Sequence, residues 1–512
     1  MGVLGSLFGG LAANAVSGTA NGIQRRTDNL AKRWRNRGLT PSRVALQTGI
    51  LAPGDAPPGV STGSILDYRD VLLPKSVQDL QSGDFPLGTC AHPRANHTSE
   101  EPGFPIYLSW GHISKHVAVI GPAGSGKTYG ILAPWIVSAA MARVLTVAVD
   151  VKGDMMNELR DAKARFGFTD KRRFETWDIG DPAHSLSWNP LAEIGIDPTR
   201  TSSDIAQLAQ AFMGDPQPND PNQQFHQRDI AWLRGILTVV HEWSKIHGSV
   251  HPKVLYQLVV DQIMLKKVRA DVPLPVTGID DLCALSGSEF SKATSFLKNS
   301  LDWLNQPNLT HMLSGTGPKP FTLSGFFSRT PEGRATVPVD VLMVGARISE
   351  GEPAKQAAAM MLNLLKLRCM SHFTQQLPIM WILDEAGRYA DRIELAQMVS
   401  VLRGANCPII VGLQDVSSLP GDEDKKDQIL SNCDAFITLY GVSNKTAEYF
   451  SKRLGTTSKM TATHNRGEQD IQVAHQIMPL LGPGEIQNVP LGLHCGVVQL
   501  KSASTNPFLF QL

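Results

Sequence analysis

Gly121-Pro122-Ala123-Gly124-Ser125-Gly126-Lys127-Thr128 satisfies G-x-x-x-x-G-K-[ST] at every constrained position. The apolar run His116-Val117-Ala118-Val119-Ile120 precedes it, and the helix-compatible Tyr129-Gly130-Ile131-Leu132 follows. A strand, a glycine-rich turn and a helix start are the context that phosphate binding requires. The glycines let backbone N–H groups curl around a polyphosphate, and the helix N-terminus adds a positive dipole at the same place. In such a loop Lys127 reaches the β- and γ-phosphates of ATP and the Thr128 hydroxyl is a ligand of Mg²⁺. Gly121, Pro122, Ala123, Gly124, Ser125, Gly126, Lys127 and Thr128 are therefore the expected nucleotide-binding residues.

A second element belongs with the first. Ile379-Met380-Trp381-Ile382-Leu383-Asp384-Glu385 is an apolar strand ending in two carboxylates. In phosphate-loop ATPases the Asp, here Asp384, orders the Mg²⁺ shell. The adjacent Glu385 polarises the attacking water, because in-line attack on the γ-phosphate needs an oriented nucleophile. A further strand, Pro408-Ile409-Ile410-Val411-Gly412-Leu413-Gln414, ends in Gln414, whose amide can sense the γ-phosphate or the water. Between them, Leu402-Arg403-Gly404 puts an arginine at a helix-to-loop junction. Arg403 is read either as a surface ion-pair residue or as a charge supplied across a subunit boundary, and spacing alone leaves that choice even.

The rest of the chain frames these motifs. With 512 residues, 42% apolar and 19% charged, it is long enough for two or three domains with large cores. A formal charge of +1 excludes a uniformly basic nucleic-acid coat and leaves local patches. The six cysteines include no C-x-x-C pair and read as free thiols of a reducing, cytoplasmic setting. Arg143-Val144-Leu145-Thr146-Val147-Ala148-Val149-Asp150 is another buried-type strand, ending in Asp150-Val151-Lys152-Gly153-Asp154, where ligands of parallel α/β sheets bind. From about 200 to 330 helical periodicity takes over at Ile205 to Phe212, Phe225 to Trp243 and Ser291 to Leu304. The expected organisation is an arm and linker over 1–64, a nucleotide-binding domain in two parts, 65–200 and 335–512, and an all-α insertion over 201–334. The fold class is α/β with a parallel-rich sheet.

Residues 3–23 carry no charge, but glycines with Asn14 and Asn21 dilute them below what a span of about 20 apolar residues needs. Leu4, Leu7, Phe8 and Leu11 fall on one helical face, and Arg25, Arg26, Lys32, Arg33, Arg35 and Arg37 follow. This reads equally as a packed helix with a solvated arm or as an attachment to a membrane surface or a partner.

In this order the motifs resemble the type IV coupling proteins, the TraG/TraD-like ATPases of conjugative DNA transfer and type IV secretion, over roughly residues 105–512. The resemblance also rests on Gly130-Ile131-Leu132-Ala133-Pro134, Asp150-Val151-Lys152-Gly153-Asp154 and Trp188-Asn189-Pro190-Leu191. Asn444-Lys445-Thr446-Ala447-Glu448-Tyr449-Phe450-Ser451 and Leu480-Leu481-Gly482-Pro483-Gly484-Glu485-Ile486 complete it. It implies a RecA-like nucleotide domain bearing an all-α insertion, and a ring hexamer that drives DNA, with its relaxase, or secreted protein into a secretion channel. It implies that Arg403 is donated in trans and that Gln414 couples hydrolysis to movement. Family members usually begin with two transmembrane helices, and no such pair is visible here. Placement at the inner membrane then falls to residues 3–37 or to a separate membrane partner. Two rivals stand beside this reading: an FtsK/HerA-like DNA pump, which would not be expected to carry the large helical insertion, and a non-motor adaptor whose ATP site gates assembly. Lys425, Lys426, Lys452 and Arg453 are candidates for a DNA-facing lining.

Overall fold

The computed structural model describes residues 85–90, 105–165, 173–214, 223–276, 278–328, 339–371, 378–464, 471–488, 494–502 and 508–512. The amphipathic and basic stretch 3–37 and the linker lie outside them. In chain order the strands are β1 (Phe85–Cys90), β2 (Pro105–Leu108), β3 (Val117–Ile120), β4 (Leu145–Asp150), β5 (Phe174–Trp177), β6 (Val341–Gly345) and β7 (Ile379–Leu383). They continue with β8 (Ile409–Leu413), β9 (Ala435–Leu439), β10 (Thr456–His464), β11 (Ile471–Pro479), β12 (Cys495–Leu500) and β13 (Phe508–Gln511). Two compact units are formed: one by the chain up to Trp135 with Val411–Leu419 and Cys433–Leu512, the other by Ile136–Ile410 with Pro420–Asn432.

The second unit is the parallel one. β4 pairs in parallel with β7 and with β6, and β6 in parallel with β5. β4, β6 and β7 are buried along their whole length, as the unbroken apolar runs require of parallel strands covered on both faces. The helix Gly351–Ser371, rich in Ala, Leu and Met, packs against β6 and against the helix Thr201–Met213. Its polar residues are tied down: Arg368 pairs with Asp204 at 2.6 Å, and the buried Lys366 ammonium donates to the Ile393 carbonyl at 3.0 Å.

Between β5 and β6 the described chain is helical, with the long helix Gln223–His247 and shorter ones from Lys253–Val260 to Leu323–Phe327. Asp261 and Ser286 accept from backbone N–H groups at helix starts, the second in a capping box with Glu289. Trp188-Asn189-Pro190-Leu191 closes this segment on itself. Ser187 N–H donates to the Lys319 carbonyl, and Phe321 N–H donates back to the Ser187 carbonyl. The Trp188 indole donates to Glu193 at 3.0 Å and stands edge-on to Trp177 at 5.8 Å. Glu193 also accepts from the backbone of Leu323 and Ser324, while burial pushes its carboxyl above the usual range.

In the first unit the strand order is β2-β1-β13-β12-β9-β3. β3 and β9 pair in parallel; β12 runs antiparallel to β9, and β13, β1 and β2 continue antiparallel. β10 and β11 form a separate antiparallel ribbon. Phe436 of β9 stacks on Phe450 at 5.1 Å, and the Arg453 guanidinium lies over the Phe436 ring, 4.9 Å from its centroid. Among the described residues no helix is long and apolar enough to cross a membrane.

Asp434, at the start of β9, is buried and lies 3.1 Å from His112 Nδ1, and accepts from the Ser502 hydroxyl at 2.7 Å. Burial alone would raise its carboxyl, but these hydrogen bonds and the Lys115 charge outweigh it and hold the group below the ordinary value. A depressed carboxyl contributes stability above the unfolded-state value, about 3.9, and loses it as pH falls through the folded-state value. Asp434→Asn is expected to lower the unfolding free energy by about 1–3 kcal/mol at neutral pH. Denaturant titrations should show that gap closing as pH drops below about 4; a gap independent of pH would contradict this.

Candidate nucleotide site

β3 delivers the chain to Gly121, whose N–H donates to the Leu413 carbonyl of β8 at 3.0 Å. The loop then turns through Gly124 at φ +78° and Gly126 at φ +93°, a region that side chains avoid. Lys127 to Leu132 make a widened π-type turn before the regular helix Ala133–Met141. Lys127 is only 5% exposed. Among the described residues the buried Ser125 hydroxyl has no hydrogen-bond partner, and a side chain added at Gly124 would meet none of their atoms. A cradle with buried cation, an unsatisfied hydroxyl and free room suits a polyphosphate. On its flank, Leu512 and His494 fill the volume that side chains at Gly126 and Gly130 would need, with the nearest atoms at 2.9 and 2.8 Å.

Gln414 follows directly on β8, beside this loop through the Gly121–Leu413 bond. The next residues are held in place. Asp415 accepts from Ser417, and Val416 N–H donates to the Thr446 hydroxyl at 3.0 Å. Thr446 lies on the helix Asn444–Leu454, capped by Ser443, so the family-like stretch there is the support of the Gln414 loop.

In the parallel unit, the register sets Val149 opposite Leu383 and Asp150 opposite Gly345. Asp384 and Glu385 therefore emerge beside the Asp150 turn, buried at 5% and 6% exposure. Asp384 Oδ1 accepts from Glu385 N–H at 2.9 Å, and the Tyr389 hydroxyl donates to the Asp384 carbonyl at 2.9 Å. Burial, with the charges of Asp384 and Glu385, pushes the Tyr389 phenol far up, so it remains a neutral donor. Glu385 sits at φ +51°, unusual for a residue with a side chain. Asp150 accepts from the N–H groups of Lys152, Gly153 and Met155, yet burial outweighs them and raises its carboxyl.

The remaining sequence candidates fall elsewhere. Arg403 is exposed in the turn after the helix Leu395–Val401, and its side chain pairs with no carboxylate among the described residues. Lys425 is engaged by Asp391 at 2.9 Å and Lys426 by Glu423 at 3.4 Å, while Arg453 donates to the Cys433 carbonyl. Of the four proposed lining residues, Lys452 is the exposed one. Sequence reasoning missed the Tyr389 and Lys152 contacts, although Asp150-Val151-Lys152-Gly153 already stood out as charge at a strand end.

Two family models match the chain. One, described as type IV secretory system conjugative DNA transfer, covers residues 89–255; the other, described as the TraM recognition site of TraD and TraG, covers 378–490. No curated protein sequence matches the chain closely enough to be called a relative. Among solved structures, the unbound bacterial conjugative coupling protein TrwBdeltaN70 aligns at TM-score 0.58 and 16% identity, over 80% of this chain and 87% of that one. The plasmid coupling protein TrwB with the non-hydrolysable ATP analogue ADPNP aligns at 0.57 and 17%, covering 84% and 94%. The same protein with ADP and Mg²⁺ aligns at 0.56 and 17%, again over 84% and 94%.

Proposed function

The chain belongs to the TraG/TraD-like type IV coupling protein family, and from that premise we propose that it is an ATP-hydrolysing translocase serving a type IV secretion channel. Its substrate is DNA carrying a relaxase, or a secreted protein, and its working form is a homo-hexamer. The observation that carries the reading is the phosphate cradle: buried Lys127, the unpartnered Ser125 hydroxyl and the space at Gly124.

The loop from Gly121 to Thr128 binds the ATP phosphates through backbone N–H groups, with Lys127 supplying the cation. Thr128 and Asp384 would hold Mg²⁺, which would supply positive charge against that of the phosphates. Glu385 is the base. As the water oxygen bonds to the γ-phosphorus, the carboxylate takes the water proton, and the bond to the bridging oxygen breaks with its electron pair leaving on ADP. Arg403, exposed on its turn, is donated to a neighbouring subunit's phosphates, and Gln414 relays the state of the γ-phosphate to the segment anchored on Thr446. The support for the trans assignment is the exposure of Arg403 and its lack of a carboxylate partner among the described residues.

Lys127→Ala is expected to abolish turnover in a phosphate-release assay; unchanged activity would remove the assignment. Arg403→Ala should lower turnover of assembled rings by about 10³-fold or more. Mixed with Glu385→Gln protomers it should regain part of that activity, because each variant supplies what the other lacks; no recovery would place Arg403 in cis or in a structural role.

A further inference from the structure

We infer that Lys152 is a positioning residue for Glu385, holding the carboxylate of the proposed reaction in its orientation; this rests on the ATPase reading above. The Lys152 ammonium lies 3.5 Å from Glu385 Oε1, and the two side chains differ sharply in surroundings, 41% exposed against 6%. The carboxylate has given up most of its water, so its orientation is set by the protein groups that touch it. The lysine reaches it from the solvent side, so its ammonium remains hydrated while it holds the carboxylate.

Lys152 does not reach Glu385 by chance of a flexible stem alone. Its backbone is fixed by the Asp150 turn, with N–H groups of Lys152 and Gly153 donating to Asp150 Oδ1 at 3.1 and 2.7 Å. Gly153, at φ +81°, completes that turn with the Arg347 guanidinium where a side chain would stand, the nearest atoms at 3.2 Å. Arg347 is itself paired with the buried Asp178, whose Oδ1 accepts from Gly180 N–H at 2.8 Å. On the other side Glu385 is held in the left-handed region, with its carbonyl accepting from Arg388 N–H at 3.0 Å. Both partners are thus presented by backbone that other contacts fix. Parallel pairing of β4 with β7 brings the two turns together.

The test compares Lys152→Met, Lys152→Gln and Lys152→Arg with wild type for kcat, KM and affinity for a non-hydrolysable ATP analogue, after checking that all melt alike. The two neutral variants should lose about tenfold or more in kcat, since a positioned base contributes about 10²–10⁴-fold. Analogue affinity should stay within about twofold, and Lys152→Arg should recover most of the rate, because it restores the cation. A kcat that is unchanged or raised in the neutral variants, a loss confined to affinity, or a failure of arginine to rescue would each overturn the inference. The two readings separate cleanly. If wild type shows no Lys127-dependent turnover, the ATPase reading falls and takes this inference with it. If wild type turns over, Glu385→Gln does not, and Lys152→Met matches wild type, only the Lys152 assignment falls.

Discussion

β4 pairs in parallel with β6 on one side and β7 on the other, with Asp150 opposite Gly345 and Val149 opposite Leu383. Parallel strands put all their carboxyl ends on one edge, so every side chain that follows them meets its neighbours there. Asp150, Asp384 and Glu385 are consequently crowded, buried and largely desolvated. Such carboxylates persist only with compensating partners: three N–H groups for Asp150, a backbone N–H for Asp384, the Lys152 ammonium for Glu385. The chemistry of this edge follows from that register more than from any single residue.

The helical segment depends on a comparable constraint. An insertion leaves a parallel sheet and must return to it, and its two ends have to be held close for the strands to stay paired. Trp188, Asn189 and Glu193 do this by binding the backbone of Val250, Met312, Leu323 and Ser324. The polar groups bury well because each finds a partner, and Trp177 against Trp188 supplies the apolar contact. A stretch that served above as a family-like marker therefore has a mechanical task.

The parts legible in sequence are those fixed by short-range pattern. The glycine turn after β3 was readable because glycines at set spacing permit the positive φ found at Gly124 and Gly126 whatever surrounds them. The helical texture was readable from periodicity, and the buried strands from unbroken runs of Val, Ile and Leu. What stayed hidden needed long-range pairing. The antiparallel β12 and β13, and Leu512 seated against Gly126 and Gly130, bring together residues far apart in the chain. The Lys152–Glu385 pair is of the same kind: both residues were noticed at strand ends, but only the register of β4 with β7 makes them neighbours. Local contacts of the basic residues considered for a DNA path were equally hidden: Lys425 pairs with Asp391, Lys426 with Glu423, and Arg453 donates to the Cys433 carbonyl.

The central claim is that nucleotide turnover in this chain is coupled to DNA. The direct measurement is the rate of phosphate release with and without single- and double-stranded DNA across a range of salt. Stimulation that falls steeply as salt rises is predicted, because phosphate contacts release counterions. A rate that neither form of DNA changes at any salt would contradict it and leave an ATP-gated adaptor in its place.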